Sequence, residues 1–322
     1  MRAIVYTKYG SPDVLQLEEV EIPSPKNDEV LVKVHAASIN SWDWDLLRGK
    51  PWIVRLWGLL KPKYNIPGGD IAGTVESVGN NAKNLKPGDE VFGDLSEYGW
   101  GGFAEYVSVP EKTLTIKPKE MTFGEAAAIP QAGLLAFQGL QDKKQIESGQ
   151  KVLINGGGGG VGTFAIQIAK SFGAEVTAVD HTAKLDLMRS LGADHVIDYT
   201  SENFIKSKKQ YDLILDVVAS HSISDCQQVL NPGGFYVIVG GNMTTIFKAM
   251  LLGPLITKMS DKGFGIMAYK PNRDLETMKE LYETGKVKPI IDRSYSLNEV
   301  PEAFRYFGEG KVKGKIVIAI IG

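Results

Sequence analysis

KVLINGGGGGVGTFAIQIAKSFG, residues 151–173, decides the fold of this chain. The apolar run 152–154 reads as a buried parallel strand. It runs into five glycines, 156–160, followed by Val161 and Gly162. From Phe164 to Phe172 the apolar residues recur at helical spacing, and Gly173 supplies a stop. Gly157, Gly159 and Gly162 fit the pattern G-x-G-x-x-G between a strand and a helix. A tight turn of this kind needs glycine so that the backbone can approach a pyrophosphate. The helix that follows offers free N–H groups and the positive end of its dipole. The turn 157–162, including Gly158, Gly160 and Val161, is therefore the expected dinucleotide contact.

The same rhythm continues downstream. EVTAVD (175–180) reads as a second strand, 184–191 as a helix, and 195–197 as a third strand. YDLILDVV (211–218) gives a fourth strand and FYVIV (235–239) a fifth, after a turn at Asn231-Pro232-Gly233-Gly234. A sixth strand is expected at 264–269 and a helix at 274–284. Strands alternating with helices predict a doubly wound parallel sheet, a Rossmann unit.

Upstream the pattern changes. Segments 3–6, 14–20, 29–35, 68–78, 90–92 and 103–109 are short, β-rich and separated by Gly/Pro turns. They predict a compact β-barrel-like domain. The seam falls near 121–128, where Thr122 is placed to cap a helix with Glu125 three residues on. Segments 288–295 and 315–321 turn β-like again. The expected division is 1–124, completed by 287–322, and 125–286.

The chain has 322 residues, 43% hydrophobic and 23% charged, with a formal net charge of −2. These values suit a soluble globular protein long enough for two domains and give no footprint for nucleic acid. One cysteine, Cys226, excludes an internal disulfide and any multi-cysteine zinc site, and its apolar surroundings suggest helix packing. Met1 leads straight into a strand, so no signal peptide is expected and a reducing cytoplasm is the default location. The apolar stretch 243–259 is broken by Lys248, Pro254 and Lys258. It suits a helix over the cofactor cleft or at a subunit interface, with at most peripheral membrane contact as the alternative.

Several motifs occur in order along essentially the whole chain: Ala37-Ser38-Ile39-Asn40 followed by Asp43, PGGDIAG (67–73), KPGDEV (86–91), GFAEYV (102–107), Ala132-Gly133-Leu134, the glycine turn, LGADHVIDY (191–199) and GKIVI (314–318). In this the chain resembles the zinc-independent quinone oxidoreductase branch of the medium-chain dehydrogenase/reductase superfamily. The resemblance implies an α/β fold, a GroES-like β-barrel catalytic domain beside the Rossmann domain, and a homodimer. Where zinc relatives carry two cysteines and a histidine, this chain holds Asn40, Gly69 and approximately Ala132. None of the three is a zinc donor. Its four histidines, His35, His181, His195 and His221, form no metal-spaced pair and are expected at the surface or at strand ends.

Without a Lewis acid, hydride transfer needs a substrate that is already electrophilic, namely a quinone, enone or enal. The resemblance implies Asn40 and Trp44 beside the nicotinamide and substrate, although Trp44 suits core packing equally well. The insertion PWIVRLWGLLKPKY (51–64) would be a lid or a packed surface loop. On the cofactor side it implies Thr182, Lys184 and Tyr199 near a 2′-phosphate, and Val217, Val239 and Ile266 along the cleft. Lys311 and Lys313 would reach the cofactor from the C-terminal segment, or stand as solvated lysines. Asp180 lies eighteen residues beyond Gly162, where an NAD-binding carboxylate belongs. NADP(H) is the favoured cofactor and NAD(H) the alternative. The expected activity is NADPH-dependent reduction of a quinone or activated C=C. The rivals are a zinc-free alcohol or carbonyl dehydrogenase and a cofactor-binding, membrane-associated regulatory protein.

Overall fold

A computed structural model describes residues 1–241 and 243–320, so Ile321, at the end of the expected last strand, and Gly322 lie outside the described residues. The chain divides into two compact units, Met1–Ala132 with Pro271–Glu283 and Pro289–Gly322, and Gly133–Lys270 with Thr284–Lys288.

The first unit opens with an antiparallel ribbon, β1 (Arg2–Val5) on β2 (Gln16–Glu19). Its main sheet is organised on β3 (Glu29–Ile39), which pairs along one edge with β4 (Asp70–Val78). Between them lies helix α1 (Ser41–Arg48). It starts at Asn40, whose N–H donates to the Asp43 carboxylate at 2.9 Å, and ends on Gly49 at φ 60°. That is an N3 carboxylate reaching back to the first residue, with a left-handed glycine closing the last turn. β5 (Glu90–Asp94) adds to β4, and β7 (Thr115–Ile116) to β5. β6 (Tyr106–Pro110) takes the N-terminal half of the other edge of β3. Register shifts in the β3–β4 ladder near Leu31 and Val34 bend this sheet around a core that includes Ile4, Val32, Ile71, Val91 and Phe103. Helix α2 (Phe123–Ala128) carries the capping box expected of Thr122 and Glu125. The Thr122 hydroxyl accepts from the Glu125 N–H at 3.2 Å, and the Glu125 carboxylate accepts the Thr122 N–H at 3.0 Å.

The second unit begins within helix α3 (Pro130–Gln141). Its sheet has six parallel strands: β8 (Lys151–Asn155), β9 (Glu175–Asp180), β10 (His195–Asp198), β11 (Tyr211–Asp216), β12 (Leu230–Ile238) and β13 (Gly263–Ile266). They lie in the order β10-β9-β8-β11-β12-β13. The connections carry helices α4 (Gly160–Ser171), α5 (Leu185–Ser190), α6 (Ile223–Gln228) and α7 (Met243–Met259). A sheet that reverses its strand order between β8 and β11 is the doubly wound arrangement, and its crevice opens at that reversal. Leu153, Val179, Ile214 and Tyr236 are among its buried core. Cys226 packs there too, with its thiol pushed up to about 12 by burial, which suits packing and not nucleophilic chemistry.

The chain then returns to the first unit through α8 (Leu275–Glu283), β14 (Ile291–Ser296), α9 (Val300–Gly308) and β15 (Lys315–Ala319). β15 completes the free edge of β3 and pairs in parallel with β14.

Three expectations change. The seam falls after Ala132 and not after 124, because α2 packs on β3, β4, β5 and β15. Residues 271–283 also belong with the first unit. There Asn272 exchanges hydrogen bonds of 2.8 Å with the Asp94 backbone, and the Tyr282 hydroxyl reaches Glu125. Finally, Asn231–Gly234 is no free turn but an irregular stretch inside β12, where the register against β11 shifts between Leu230 and Phe235. Gly233, at φ 69°, absorbs that bulge.

Candidate functional site

In the second unit the parallel register brings the strand ends to one edge. Asp198 pairs with Asp180, Val179 with Asn155, Asn155 with Asp216, Asp216 with Ile238, and Ile238 with Ile266. Val217 and Val239 follow directly on Asp216 and Ile238, so the expected cleft positions Val217, Val239 and Ile266 all lie on this carboxyl edge. Parallel sheets bind ligands at that edge.

The glycine turn sits between β8 and α4 on the same edge. Gly156 takes φ 92°, a conformation that side chains resist. A Cβ on Gly162 would lie 2.1 Å from the Gly156 carbonyl oxygen and 2.6 Å from the Gly157 Cα. A Cβ on Gly157 would lie 2.7 Å from the Met188 sulfur. The turn is thus as tight as backbone allows. Helix α4 then starts on Gly159, which has no side chain to cap it. Its first-turn N–H groups are left for an external acceptor, and a dinucleotide pyrophosphate fits that end by charge and by shape.

Asp180 is placed differently from a ribose ligand. Its carboxylate accepts the Gly158 and His181 N–H groups, each at 2.8 Å, and its Oδ1 lies 3.6 Å from the Lys184 ammonium. With 9% of its surface exposed, it braces the glycine turn from within. Lys184, also 9% exposed, is committed to that pair. Thr182 is exposed and donates its hydroxyl to Asp198, which this bond and those from Thr200 hold below the usual carboxylate range. Tyr199 is exposed and stands edge-on to the His181 ring, centroids 6.0 Å apart. Tyr199 and His181 are thus the rings available beside the end of β9. His181 stands exposed at a strand end, as the sequence analysis expects, and only its place beside Tyr199 was not foreseen.

A residue the sequence reading passed over is Asp216. Its fully buried carboxylate accepts the Asn155 side-chain amide (2.8 Å), the Tyr236 hydroxyl (2.9 Å) and the N–H groups of Val218 and Ala219 (3.0 and 2.7 Å). It fixes the loop after β11 against the glycine turn. The available signal was a carboxylate closing an otherwise apolar strand, LILD.

In the first unit, β3, α1, β4, β5 and β15 converge on a buried polar cluster. The Asn40 Nδ2 donates to Asp70 at 2.8 Å, and its Oδ1 accepts from the Lys315 ammonium. Asp70 also accepts from the Ser38 hydroxyl (3.3 Å) and the Gln131 N–H (3.2 Å), and Lys315 Nζ lies 3.8 Å from it. Lys315 donates to the Ile39 carbonyl as well, at 3.2 Å. Asp43 bridges the N–H groups of Asn40 and Gly68. Asp94 lies buried on the adjoining strand, and the charges of Asp70, Asp43 and Asp94 all act on the Lys315 ammonium. Burial pushes Asp43 up to about 7, against the Asn40 N–H and Lys315. Burial likewise drives Asp70 up and Lys315 down, each opposed by the other's charge.

Asn40 is 6% exposed with both ends of its amide engaged. Trp44 is half-buried, its ring 6.3 Å from Phe304 and 6.2 Å from Phe307, with the Arg48 guanidinium 4.5 Å above it. Those contacts are core packing. Lys311 pairs with Glu309 at 2.9 Å and Lys313 donates its backbone N–H to Asp292, both in the first unit. Of the four histidines, His35 lies on β3, stacked 4.2 Å from Phe123.

Residues 26–119 match the alcohol dehydrogenase GroES-like domain, 191–318 the zinc-binding dehydrogenase model, and 144–221 the C-terminal domain of alanine dehydrogenase/PNT. The chain is 39% identical to a 2-methylene-furan-3-one reductase of Solanum lycopersicum, over 99% of this chain and 79% of that protein. It is 36% identical to an NADPH-dependent alkenal/one oxidoreductase of Arabidopsis thaliana, with the same coverage. The solved quinone oxidoreductase of Coxiella burnetii superposes with a TM-score of 0.87 at 28% identity, covering 100% of this chain and 99% of that one. The chain belongs to the quinone oxidoreductase branch of the medium-chain dehydrogenase/reductase superfamily.

One of the matched models carries zinc in its name, so the fit of zinc can be tested. Among the described residues no group of three or more His, Cys, Asp or Glu is arranged to hold a metal. Asn40 has spent its carboxamide, Gly69 and Ala132 offer no donor, and the Lys315 ammonium lies against Asn40 and Asp70. A buried cation there repels a second one. The residues do not fit zinc.

Proposed function

We propose that this protein is a zinc-independent, NADPH-dependent oxidoreductase that reduces quinones or activated C=C bonds. The observation that carries the reading is the full-length likeness to enzymes named as enone, alkenal and quinone reductases. The glycine turn on the carboxyl edge of the Rossmann sheet supports it. When bound, the nicotinamide supplies a hydride to an electrophilic carbon.

The chain's own residues divide the remaining work. The turn 157–162 and the start of α4 hold the pyrophosphate. Asp180, turned into the glycine turn, leaves the end of β9 without an outward carboxylate, which favours a phosphorylated ribose there. Thr182, Tyr199 and the neighbouring His181 are assigned to that phosphate, with Lys184 lending charge from its pair with Asp180. Val217, Val239 and Ile266 are assigned to the cleft wall, and Lys311 and Lys313 to the C-terminal approach. Asn40 borders the substrate as a wall held in one orientation, and a carboxamide is no proton donor at neutral pH, so the proton comes from solvent or a substrate-side hydroxyl. Trp44 serves packing. The first unit, Met1–Ala132 with Pro271–Glu283 and Pro289–Gly322, is assigned as the catalytic GroES-like domain. A homodimer in a reducing cytoplasm completes the proposal. The single cysteine, free and buried, suits that compartment. No helix among the described residues is long and apolar enough to cross a membrane.

The test is titration of the purified protein with NADPH and NADH by nicotinamide fluorescence, followed by a quinone and an enone. Tighter binding of NADPH, and its oxidation on adding either acceptor, is the expected result. Preference for NADH would overturn the cofactor assignment. Binding without turnover across a panel of quinones and enones would overturn the reductase reading in favour of a regulatory one.

A further inference from the structure

Residues 46–69 contain no acidic side chain but hold Arg48, Lys50, Arg55, Lys61 and Lys63, in a chain whose net charge is −2. Within this basic stretch the short 3-10 helix Trp52–Trp57 and the turn after it hold four large apolar side chains outward. Trp52 is 69% exposed, Leu56 68%, Leu59 75% and Leu60 90%. The segment is firmly anchored from its other side. Val54 is buried with Leu46 and Trp100, Ile53 and Tyr64 pack on that cluster, and the Tyr64 and Trp100 rings lie 5.2 Å apart. The Arg55 guanidinium donates to the Gly49 carbonyl at 3.1 Å and stacks 4.9 Å from the Tyr9 ring, whose hydroxyl in turn binds the Gly58 carbonyl at 2.6 Å. The nearest acids in sequence are neutralised or hidden, since Asp45 pairs with Arg48 and Asp70 is fully buried.

A braced turn presenting tryptophan and leucine side chains amid uncompensated lysines has the composition of an interfacial anchor. Apolar groups enter the headgroup boundary while cations meet anionic headgroups. A bracing fold also lowers the ordering cost of binding. We propose that residues 50–63 dock this protein peripherally on an anionic phospholipid surface, with Trp52, Leu56, Leu59 and Leu60 inserted and Lys50, Lys61 and Lys63 facing the headgroups. This moves the membrane contact away from 243–259. On α7 Phe247, Met250 and Leu251 are exposed, but the stretch has no comparable basic set, and the side chains of 254–259 lie outside the described residues.

The experiment is co-sedimentation of the full chain with phosphatidylcholine vesicles, with and without phosphatidylserine. Neither cofactor nor substrate is present, so its outcome is independent of the reductase reading. The wild type should bind the anionic vesicles, and added salt should weaken the binding. Lys61→Gln/Lys63→Gln should lower the partition coefficient by about fivefold per lysine. Leu59→Ser/Leu60→Ser should lower it by at least about tenfold. Met250→Ser/Leu251→Ser should leave it unchanged. Circular dichroism and thermal melting verify folding. The proposal is overturned if the wild type ignores anionic vesicles, if only the Met250/Leu251 variant loses binding, or if the leucine variant keeps vesicle binding and instead dissociates a dimer on sedimentation velocity.

Discussion

Lys315→Met tests the buried cluster of the first unit most directly. The side chain is 3% exposed and its Nζ lies 3.8 Å from an Asp70 carboxylate with no exposure at all. At an effective dielectric near 20 that separation corresponds to about 4 kcal/mol of attraction. Methionine preserves most of the volume, so the loss is chiefly electrostatic. Asp70 keeps its burial and loses the ammonium beside it, and unfolding should become easier by about 3–5 kcal/mol. The deficit should be largest above neutral pH, because acid lets Asp70 take up a proton. All five tryptophans, Trp42, Trp44, Trp52, Trp57 and Trp100, lie in the first unit, so urea unfolding followed by tryptophan fluorescence reports that unit alone. Nicotinamide fluorescence reports the glycine turn of the other unit, and NADPH affinity should stay close to wild type. Asp70→Asn combined with Lys315→Met removes the orphaned charge and should recover most of the loss. A single-variant loss below about 1 kcal/mol, or a double variant no better than the single, would falsify the view that Lys315 neutralises this cluster.

Two further perturbations read other parts of the site. Gly162→Ala places a methyl 2.1 Å from the Gly156 carbonyl oxygen, so the turn must open. NADPH affinity should fall by about tenfold or more with far-UV circular dichroism unchanged, and an unaffected affinity would mean the turn does not carry the pyrophosphate. Asp43 titrates near 7 in the fold against 3.8 unfolded, so the folded state holds its proton more tightly. Its contribution to stability is therefore fully present below about pH 4 and is lost as pH rises through 7, a loss on the order of 4 kcal/mol. Relative to Asp43→Asn, the wild type should lose stability across that window in urea titrations. Parallel pH curves would remove Asp43 as a buried ionisable group.

The two units differ in how much of them could be read from the sequence, and the cause is contact range. Every landmark of the Rossmann unit is local. The glycine turn lies between its strand and helix, EVTAVD matches β9 residue for residue, and the strand ends align through repeated βα connections. One misreading there, Asn231–Gly234, followed composition. A run of Asn, Pro and Gly marks a turn in isolation, yet pairing with β11 draws it into a bulged strand. The first unit is organised by pairings between distant segments. β3 holds β15 some 275 residues away, through Ile39 and Ile316, and no local period announces that ladder. Helix α1 was passed over although Asn40, Asp43 and Gly49 mark its two ends, because eight residues give too few turns for a periodic signal.

The polar cluster shows most sharply what a linear reading misses. Asn40, Asp43 and the segments holding Asp70 and Lys315 were each visible as family landmarks, and their mutual dependence was not. Asn40 came from that reading as a residue beside the substrate. In the fold its amide is clamped between an anion and a cation, Asp70 and Lys315, contributed by β4 and β15. An amide with both ends satisfied cannot rotate to serve a changing substrate without leaving a buried charge unpaired. The orientation of Asn40 is therefore set by side chains from two other strands. This also explains why the unit tolerates a buried ammonium at all. Lys315 ties the last strand of the chain to the first residues of α1, so the C-terminal return of the polypeptide sets the geometry of a side chain near its beginning.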